Sequence, residues 1–492
     1  MTIRLITPEA ALAQDMADVV RVFFGDAPIE FCDAPIEFCD APIEFGEGDA
    51  GLAIVHRVDT GLDVFFSGDV SVERAFFPAG RDELEKKRLR KRAVKLGLYG
   101  LLKKLTGQHP PWGSLTGIRP SRLYYEALSE GLDPVRTLVD VFDVTPGRAE
   151  LLRALAGMQV GLRDMPANAF DLYVGIPFCK TRCAYCSFSS GEIGDGKLVA
   201  PYVRALLREI ALSAEIVREK GLRLRAGYIG GGTPTAIPRA ALEEVFLAAK
   251  EAFPGAVEWT VEAGRPDTID REMLAMLKSA GATRISVNPQ TFSDETLRRI
   301  GRAHTGEQTV EAYLLARELG FEDINMDLIA GLPGEALPDF SRTLDRTLEL
   351  APDSATVHAL AIKRSSRLHE EMHVSSGGHA RAAEGEAAAM IDLARARLTG
   401  AGYLPYYLYR QKYMAGNLEN VGYARPGKAC LYNIGNMEEV ASVLAVGAGA
   451  ITKWLFDRAL RIERAPNVKN LGVYIDRVDE MVGRKRRLIL ET

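Results

Sequence analysis

An α/β fold is predicted for this chain: a partial, six-unit parallel barrel with an α+β segment before it and a mainly helical segment after it. Two observations in the middle of the chain carry that expectation. Short apolar runs alternate with longer amphipathic stretches at a period of about 30 residues, as consecutive βα units require. Six such units suit an open or partial barrel better than the closed eightfold form. The strands are expected at Leu172–Ile176, Ala226–Ile229, Val257–Val261, Arg284–Val287, Ile324–Ile329 and Ala355–Ala361. The intervening helices fall near 198–219, 239–252, 270–279, 307–319 and 338–350.

The flanking segments read differently. Residues 26–45 hold a seven-residue unit, Asp26-Ala27-Pro28-Ile29-Glu30-Phe31-Cys32, repeated twice more with Gly46 in the last place. A proline in every unit removes a helical hydrogen bond each time, which argues against a coiled coil. A duplicated surface loop is the expectation, and Cys32 and Cys39 are then copies rather than metal ligands. Runs at 52–57, 62–67 and 70–77 predict a small meander. Helices are expected over 81–105 and about 134–160, the first carrying the basic run Lys86–Arg92, taken as a solvated face. Asp164-Met165-Pro166 marks a boundary. The expected division is residues 1–165, 166–375 and 376–492. In the last part a helix is expected at 382–399 and another starting near Met437. Ala445–Gly449 is glycine-rich without an expected preceding strand, so a dinucleotide loop is a weak reading.

Composition narrows the function. Six cysteines in 492 residues are too few for a disulfide scaffold. A net charge of −5 argues against a nucleic-acid partner. No apolar run approaches the roughly 20 residues that span a bilayer. Met1–Leu5 leads into no apolar signal region, so a cytoplasmic protein is expected.

Three of the six cysteines lie within eight residues, Cys179-x3-Cys183-x2-Cys186, directly after the first barrel strand and the turn Gly175-Ile176-Pro177. Thiolates so spaced on a compact loop can bind three irons of a [4Fe–4S] cluster, leaving the fourth iron open to another ligand. A structural zinc site would want a fourth cysteine or histidine, and His109 and His304 are far away in sequence. The other strand ends agree with a ligand site. Gly230-Gly231-Gly232-Thr233-Pro234 permits close backbone approach, while Glu262, Asn288-Pro289-Gln290, Asp327, Ala361 and Lys363 sit at or near the next four ends. In βα barrels such C-terminal ends converge on the chemistry.

The cysteine loop with Tyr185 before its last cysteine, followed by Gly-Gly-Thr-Pro, resembles the radical S-adenosylmethionine (SAM) enzymes. Leu172–Cys179 and Asp327–Pro333 are similar to the oxygen-independent coproporphyrinogen III oxidase family. Pro111-Trp112-Gly113, Thr116–Pro120, Val261–Asp267 and Gly416–Tyr423 point to its HemZ-type branch. The resemblance implies a radical SAM barrel in which Cys179, Cys183 and Cys186 ligate the cluster. Tyr173, Tyr185, Gly231, Gly232, Thr233, Glu262, Gln290, Arg302, Asp327 and Ala361 would then bind S-adenosylmethionine, with Glu262 near its amino group and Arg302 on its carboxylate. Glu262 and Lys363 are the implied catalytic positions. Electron transfer from the cluster, fed by a reduced flavodoxin- or ferredoxin-type donor, would cleave the cofactor to a 5′-deoxyadenosyl radical. The implied reaction converts coproporphyrinogen III to protoporphyrinogen IX, two propionates becoming vinyl groups. Lys363, Arg364, Arg367, Arg410 and Lys412 are candidate partners for the substrate carboxylates. One departure is visible: well-characterised members carry a further cysteine where this chain has Phe188. The family's haem chaperones lack it too, so a haem-trafficking protein, with His358, His369 or His373 as axial ligand, stays open. So does another radical enzyme acting on a tetrapyrrole.

Overall fold

The computed structural model describes residues 2–25, 27–32, 51–59, 62–75, 80, 82–117, 119–186, 190–361, 379–410, 418–456 and 461–491. They form two compact units, one of Met1–Arg153 with Arg410–Leu418 and one of Ala154–Tyr409 with Glu419–Thr492.

The first unit is built on a five-stranded sheet of β1 (Ile3–Ile6), β2 (Ile29–Cys32), β3 (Leu52–Asp59), β4 (Leu62–Ser67) and β5 (Val70–Ala75), in the order β2-β1-β3-β4-β5. The meander β3–β5 stands where the alternating apolar runs place it. The first copy of the repeat supplies β2, an edge strand parallel to β1; the second and third copies lie outside the described residues. Helices Ala13–Phe24 and Glu83–Thr106 bury Met16, Val20, Phe23, Val94, Leu98 and Leu101 against Leu5, Ile54 and Phe65 of the sheet.

The basic run on the second of these helices is solvated only at its start, Lys86 and Lys87; the rest is paired with acids from other segments. Arg88 and Arg92 meet Glu126 at 3.1 and 2.9 Å, and Lys91 and Lys95 meet Asp15 at 2.7 and 2.8 Å. Arg90 is bonded to both Glu9 and Asp63. Spacing alone shows a run of charge; the acids that absorb it come from distant segments. The single helix expected at about 134–160 is broken as well. A short turn, Pro134–Arg136, passes into a wider coil to Val141, then Asp143 takes φ 56° and helix Pro146–Met158 begins afresh.

The second unit holds an eleven-stranded sheet. Its centre is six contiguous parallel strands: β6 (Ala169–Ile176), β9 (Arg223–Gly231), β10 (Glu258–Val261), β11 (Arg284–Ser286), β12 (Ile324–Ala330) and β13 (Ser354–Ala359). Between β6 and β9, the short strands β7 (Phe178–Cys179) and β8 (Gly191–Glu192) pair with each other. Helices Val199–Lys220, Arg239–Ala252, Arg271–Ala280, Gly306–Glu318 and Leu337–Leu350 connect the six strands. Each barrel strand is buried over most of its length, as parallel strands between a helical layer and a packed interior must be. The helix starts carry local signals: Asp270 accepts from Met273 N at 2.7 Å, and Thr305 and Gln308 form a reciprocal capping box.

The sheet stays open, with β14 (Leu404–Tyr409) and β18 (Arg461–Pro466) as its two ends. Beyond β13, β15 (Asn420–Ala424) and β14 run antiparallel. Beyond β6, β16 (Ser442–Val446) adds a seventh parallel strand, followed by β17 (Ile451–Phe456) and β18, each antiparallel to its neighbour. Helical residues still outnumber strand residues in this last segment, led by helix His379–Gly400. A helix was expected to begin near Met437, but one ends there: Leu431–Met437 stops, Glu439 takes φ 53°, and β16 follows. Ser442-Val443-Leu444-Ala445-Val446 is apolar and pairs along β6, so sheet pairing wins over helix propensity. Ala445–Gly449 therefore begins within a strand, β16, yet it leads into β17 and not the helix a dinucleotide loop needs. No helix among the described residues is long and apolar enough to cross a membrane.

Candidate active site

Parallel pairing brings the ends of β6, β9, β10 and β12 to one face, and the chemistry predicted from sequence lies along it. The cysteine loop leaves β6 through Gly175-Ile176-Pro177. It is stitched down at once: Gly232 N donates to Ile176 O at 2.8 Å and Thr233 N to Phe178 O at 2.7 Å. Thr233 Oγ1 donates to Cys179 Sγ at 3.6 Å, and Cys186 N to Cys183 O at 3.1 Å. All three thiols are free and partly accessible. Burial pushes the Cys179 thiol up, offset in part by Thr233 and Ser190.

Glycine is required at the end of β9. Gly231 takes φ 119°, outside the range of ordinary side chains. A Cβ on Gly232 would stand 2.5 Å from Phe178 O and 2.9 Å from Cys179 Sγ, and one on Gly230 would stand 2.7 Å from Glu262 Oε2. The Gly230–Gly232 run thus lies between the first thiol and the glutamate.

Glu262 accepts a hydrogen bond from Tyr228 OH. Burial, with the Asp327 charge added, pushes its carboxyl up to about 7, against the Tyr228 bond. Tyr228 stacks on Tyr432 at 4.5 Å and on Tyr173 at 6.2 Å between ring centroids, so Tyr173 joins an aromatic wall beside the glutamate. Asp327 accepts from Asn288 Nδ2 and Asn325 Nδ2, each at 2.8 Å, and lies 3.8 Å from His358 Nε2. Burial opposes its ionisation, but His358, Asn325 and Thr356 hold the charge and keep Asp327 below the usual carboxylate range. Two carboxylates on one face are thereby driven in opposite directions.

Gln290 sits beside Asp327 through backbone pairing: its N donates to Asp327 O at 2.9 Å, and it takes φ 65°, a strained conformation for a side-chain-bearing residue. Arg302 is buried. Its Nη1 donates to Gly264 O and Asn288 O at 3.2 and 3.3 Å, its Nη2 to Tyr185 OH at 3.2 Å, and its Nε has no hydrogen-bond partner among the described residues. Tyr185 packs by Leu297, Ile300, Ile329 and Leu332. Leu360 N pairs with Ala330 O at 3.0 Å, which leaves Ala361 just past the end of β13.

Lys363, Arg364, Arg367, His369, His373, Lys412 and Phe188 lie outside the described residues. Arg410 is committed elsewhere, donating to Leu115 O at 2.8 Å with its guanidinium 5.5 Å over the Trp112 ring. Tyr228, Tyr432 and Asn325 escaped sequence reasoning. Tyr228 had a usable signal, since two residues before Gly230 on a strand puts it on the same face.

A model of the radical SAM superfamily matches residues 173–347, and the chain belongs to that superfamily. It is 37% identical over 431 residues to the oxygen-independent coproporphyrinogen-III oxidase-like protein HemZ of Bacillus subtilis, covering 86% of this chain and 83% of that protein. Against the haem chaperone HemW of Escherichia coli it is 29% identical, over 58% of this chain and 70% of that one. Coproporphyrinogen III oxidase (HemN) from Escherichia coli superposes with a TM-score of 0.52 at 25% identity, covering 68% of this chain and 73% of that structure. The chain is a member of the oxygen-independent coproporphyrinogen III oxidase family, on its HemZ-type branch.

Membership implies a [4Fe–4S] cluster and S-adenosylmethionine. The residues present fit both. Three free thiols make a soft, incomplete donor set. The glycine run has no room for side chains, and the buried Arg302 keeps an uncommitted N–H.

Proposed function

We propose that this protein carries out the oxygen-independent oxidative decarboxylation of coproporphyrinogen III to protoporphyrinogen IX in haem biosynthesis. The observation that carries the reading is the pairing of a three-thiol loop with carboxylates of opposite tendency, Glu262 and Asp327, on one barrel face. The bound cluster and S-adenosylmethionine would supply a carbon radical able to take hydrogen from a propionate side chain. The chain's own part is to hold and orient. Cys179, Cys183 and Cys186 would hold the cluster. Glu262, once ionised, would receive the cofactor's amino group beside Gly231, Gly232 and Thr233. The Arg302 guanidinium would pair with its carboxylate. Gln290 and Asp327 would accept from its ribose hydroxyls, with Tyr173, Tyr185 and the backbone at Ala361 around the remainder. Lys363 would face the substrate carboxylates. A reduced flavodoxin- or ferredoxin-type protein would supply electrons, in the cytoplasm. The three-part division at 165 and 375 would separate an N-terminal domain, the barrel and a substrate-covering segment.

A haem chaperone of the same family is the second reading, favoured by the HemW relatives and by Phe188 in place of the extra cysteine. Partly exposed His358, 3.4 Å from Tyr409 OH, would be its axial ligand. Anaerobic turnover of the reconstituted protein with coproporphyrinogen III, S-adenosylmethionine and a reductant separates the two. Carbon dioxide and protoporphyrinogen IX are expected; tight haem binding without either product would overturn the enzyme reading.

A further inference from the structure

The segment between the first two thiols, Lys180–Arg182, is held by groups from two other parts of the barrel. Arg265 donates Nη1 to Thr181 O at 2.8 Å. The same guanidinium grips both oxygens of Asp267, Nε at 3.0 Å and Nη2 at 3.3 Å. Lys180 Nζ donates to Asp267 O at 3.0 Å. From the other side, Thr181 Oγ1 donates to Gly301 O at 3.1 Å and Ala184 N to Ile300 O at 2.9 Å. His304 walls off Asp267: it is 2% exposed and its Nδ1 stands 3.8 Å from Asp267 Oδ1.

These contacts are costly to arrange. Arg265 is 3% exposed, and a buried cation holds its place only when paired and fully bonded. Packing alone does not explain the Arg265–Asp267 pair, because an apolar pair would fill the same space without the desolvation. What the arrangement delivers is direction: the planar fork of Arg265 is fixed by Asp267, and Nη1 is thereby aimed at one carbonyl of the cysteine loop. The neighbouring Gly264 carbonyl accepts from Arg302, so both sides of the loop are referred to one short segment.

We infer that Arg265 and Asp267 are positioning residues, a brace that sets the height of the cysteine loop between its first and second thiols and ties it to Arg302. The inference rests on the reading of the three thiols as cluster ligands. Groups that orient a metal's ligands change metal retention strongly when removed, though they touch no metal themselves.

The test uses the full chain, reconstituted anaerobically. Its readouts are the rate of iron release to a chelator, the electron paramagnetic resonance of the reduced cluster, and melting of the cluster-free protein. Arg265→Gln is expected to release iron about tenfold faster, in the range seen for outer-shell changes, and to broaden the resonance. Arg265→Lys keeps the charge but loses the fork, and should stay with the glutamine variant. Cluster-free Arg265→Gln should melt below wild type, because the buried Asp267 charge loses its guanidinium; release rate and resonance, taken on the folded fraction well below that melting point, report the brace apart from this loss. Should Arg265→Gln not fold, the isosteric Asp267→Asn reads the same brace. Wild-type release rates in Arg265→Gln and Asp267→Asn would overturn the inference. Cys183→Ala separates the two levels: loss of its brown absorbance supports the ligand reading, while retention would overturn that reading and the brace together.

Discussion

Replacing Glu262 by glutamine should make the cluster-free protein more stable at neutral and alkaline pH while destroying its site. The magnitude follows from the carboxyl's surroundings. Burial first, then the Asp327 charge, moves Glu262 from 4.5 to about 7, even though Tyr228 donates to it. A carboxyl whose value is raised on folding binds more protons folded than unfolded, so stability falls as pH rises through the interval between the two values. At about 1.4 kcal/mol for each pH unit, that interval removes about 3 kcal/mol of stability once pH passes 7. Glutamine keeps the shape and can still accept from Tyr228, but carries no charge to desolvate. Urea unfolding of both proteins should therefore coincide at pH 4, diverge between about 4.5 and 7, and differ by about 3 kcal/mol at pH 8. Binding of S-adenosylmethionine to the reconstituted variant should be lost over the same range. Equal stabilities at pH 8, or a gain already present at pH 4, would refute the argument. A stability gain bought with lost binding is what a site built on a desolvated charge should show.

Two further outcomes follow from contacts elsewhere in the barrel. Gly232→Ala drives a Cβ to 2.5 Å from Phe178 O and 2.9 Å from Cys179 Sγ; the overpacking costs about 1–3 kcal/mol and should sharply lower iron content after reconstitution, so wild-type iron content would contradict it. Lys485→Met leaves Glu209 buried with only Gly447 N, Tyr474 OH and Asn467 Nδ2 as donors. Stranding that charge should cost about 3–5 kcal/mol in denaturant unfolding, and pairing the change with Glu209→Gln should recover most of it; a loss below about 1 kcal/mol would contradict the prediction.

The six barrel strands were readable because each is a short apolar run between amphipathic helices, a local pattern. β14 to β18 were not, because their strand character comes from partners. Ser442–Val446 has an ordinary composition until it is laid along Phe170–Val174, with Thr452 bonded across to Ala445. Leu404–Tyr409 is by composition an aromatic-rich stretch; pairing with Asn420–Ala424 makes it a strand. The basic run of helix Glu83–Thr106 failed for the same reason. Its meaning rests on Glu9, Asp15, Asp63 and Glu126, none of which sequence proximity could nominate.

At the site the division falls between residue type and residue state. The identities of the three thiols and the strand-end acids were fixed by position in the repeating βα pattern. The difference between Glu262 and Asp327 was not, since both read simply as acids at strand ends. Tyr228 lies 34 residues before Glu262, and His358 lies 31 after Asp327; only the parallel sheet puts each acid next to its modifier. One acid gains a hydroxyl in an apolar, aromatic corner and keeps its proton to about pH 7. The other gains two amides and an imidazole and gives its proton up early. Equivalent carboxylates thus become a group that ionises when a cation arrives and a group already charged to accept from hydroxyls. The fold contributes that distinction through strand order, which is why the same residue types on a different sheet order would not make this site.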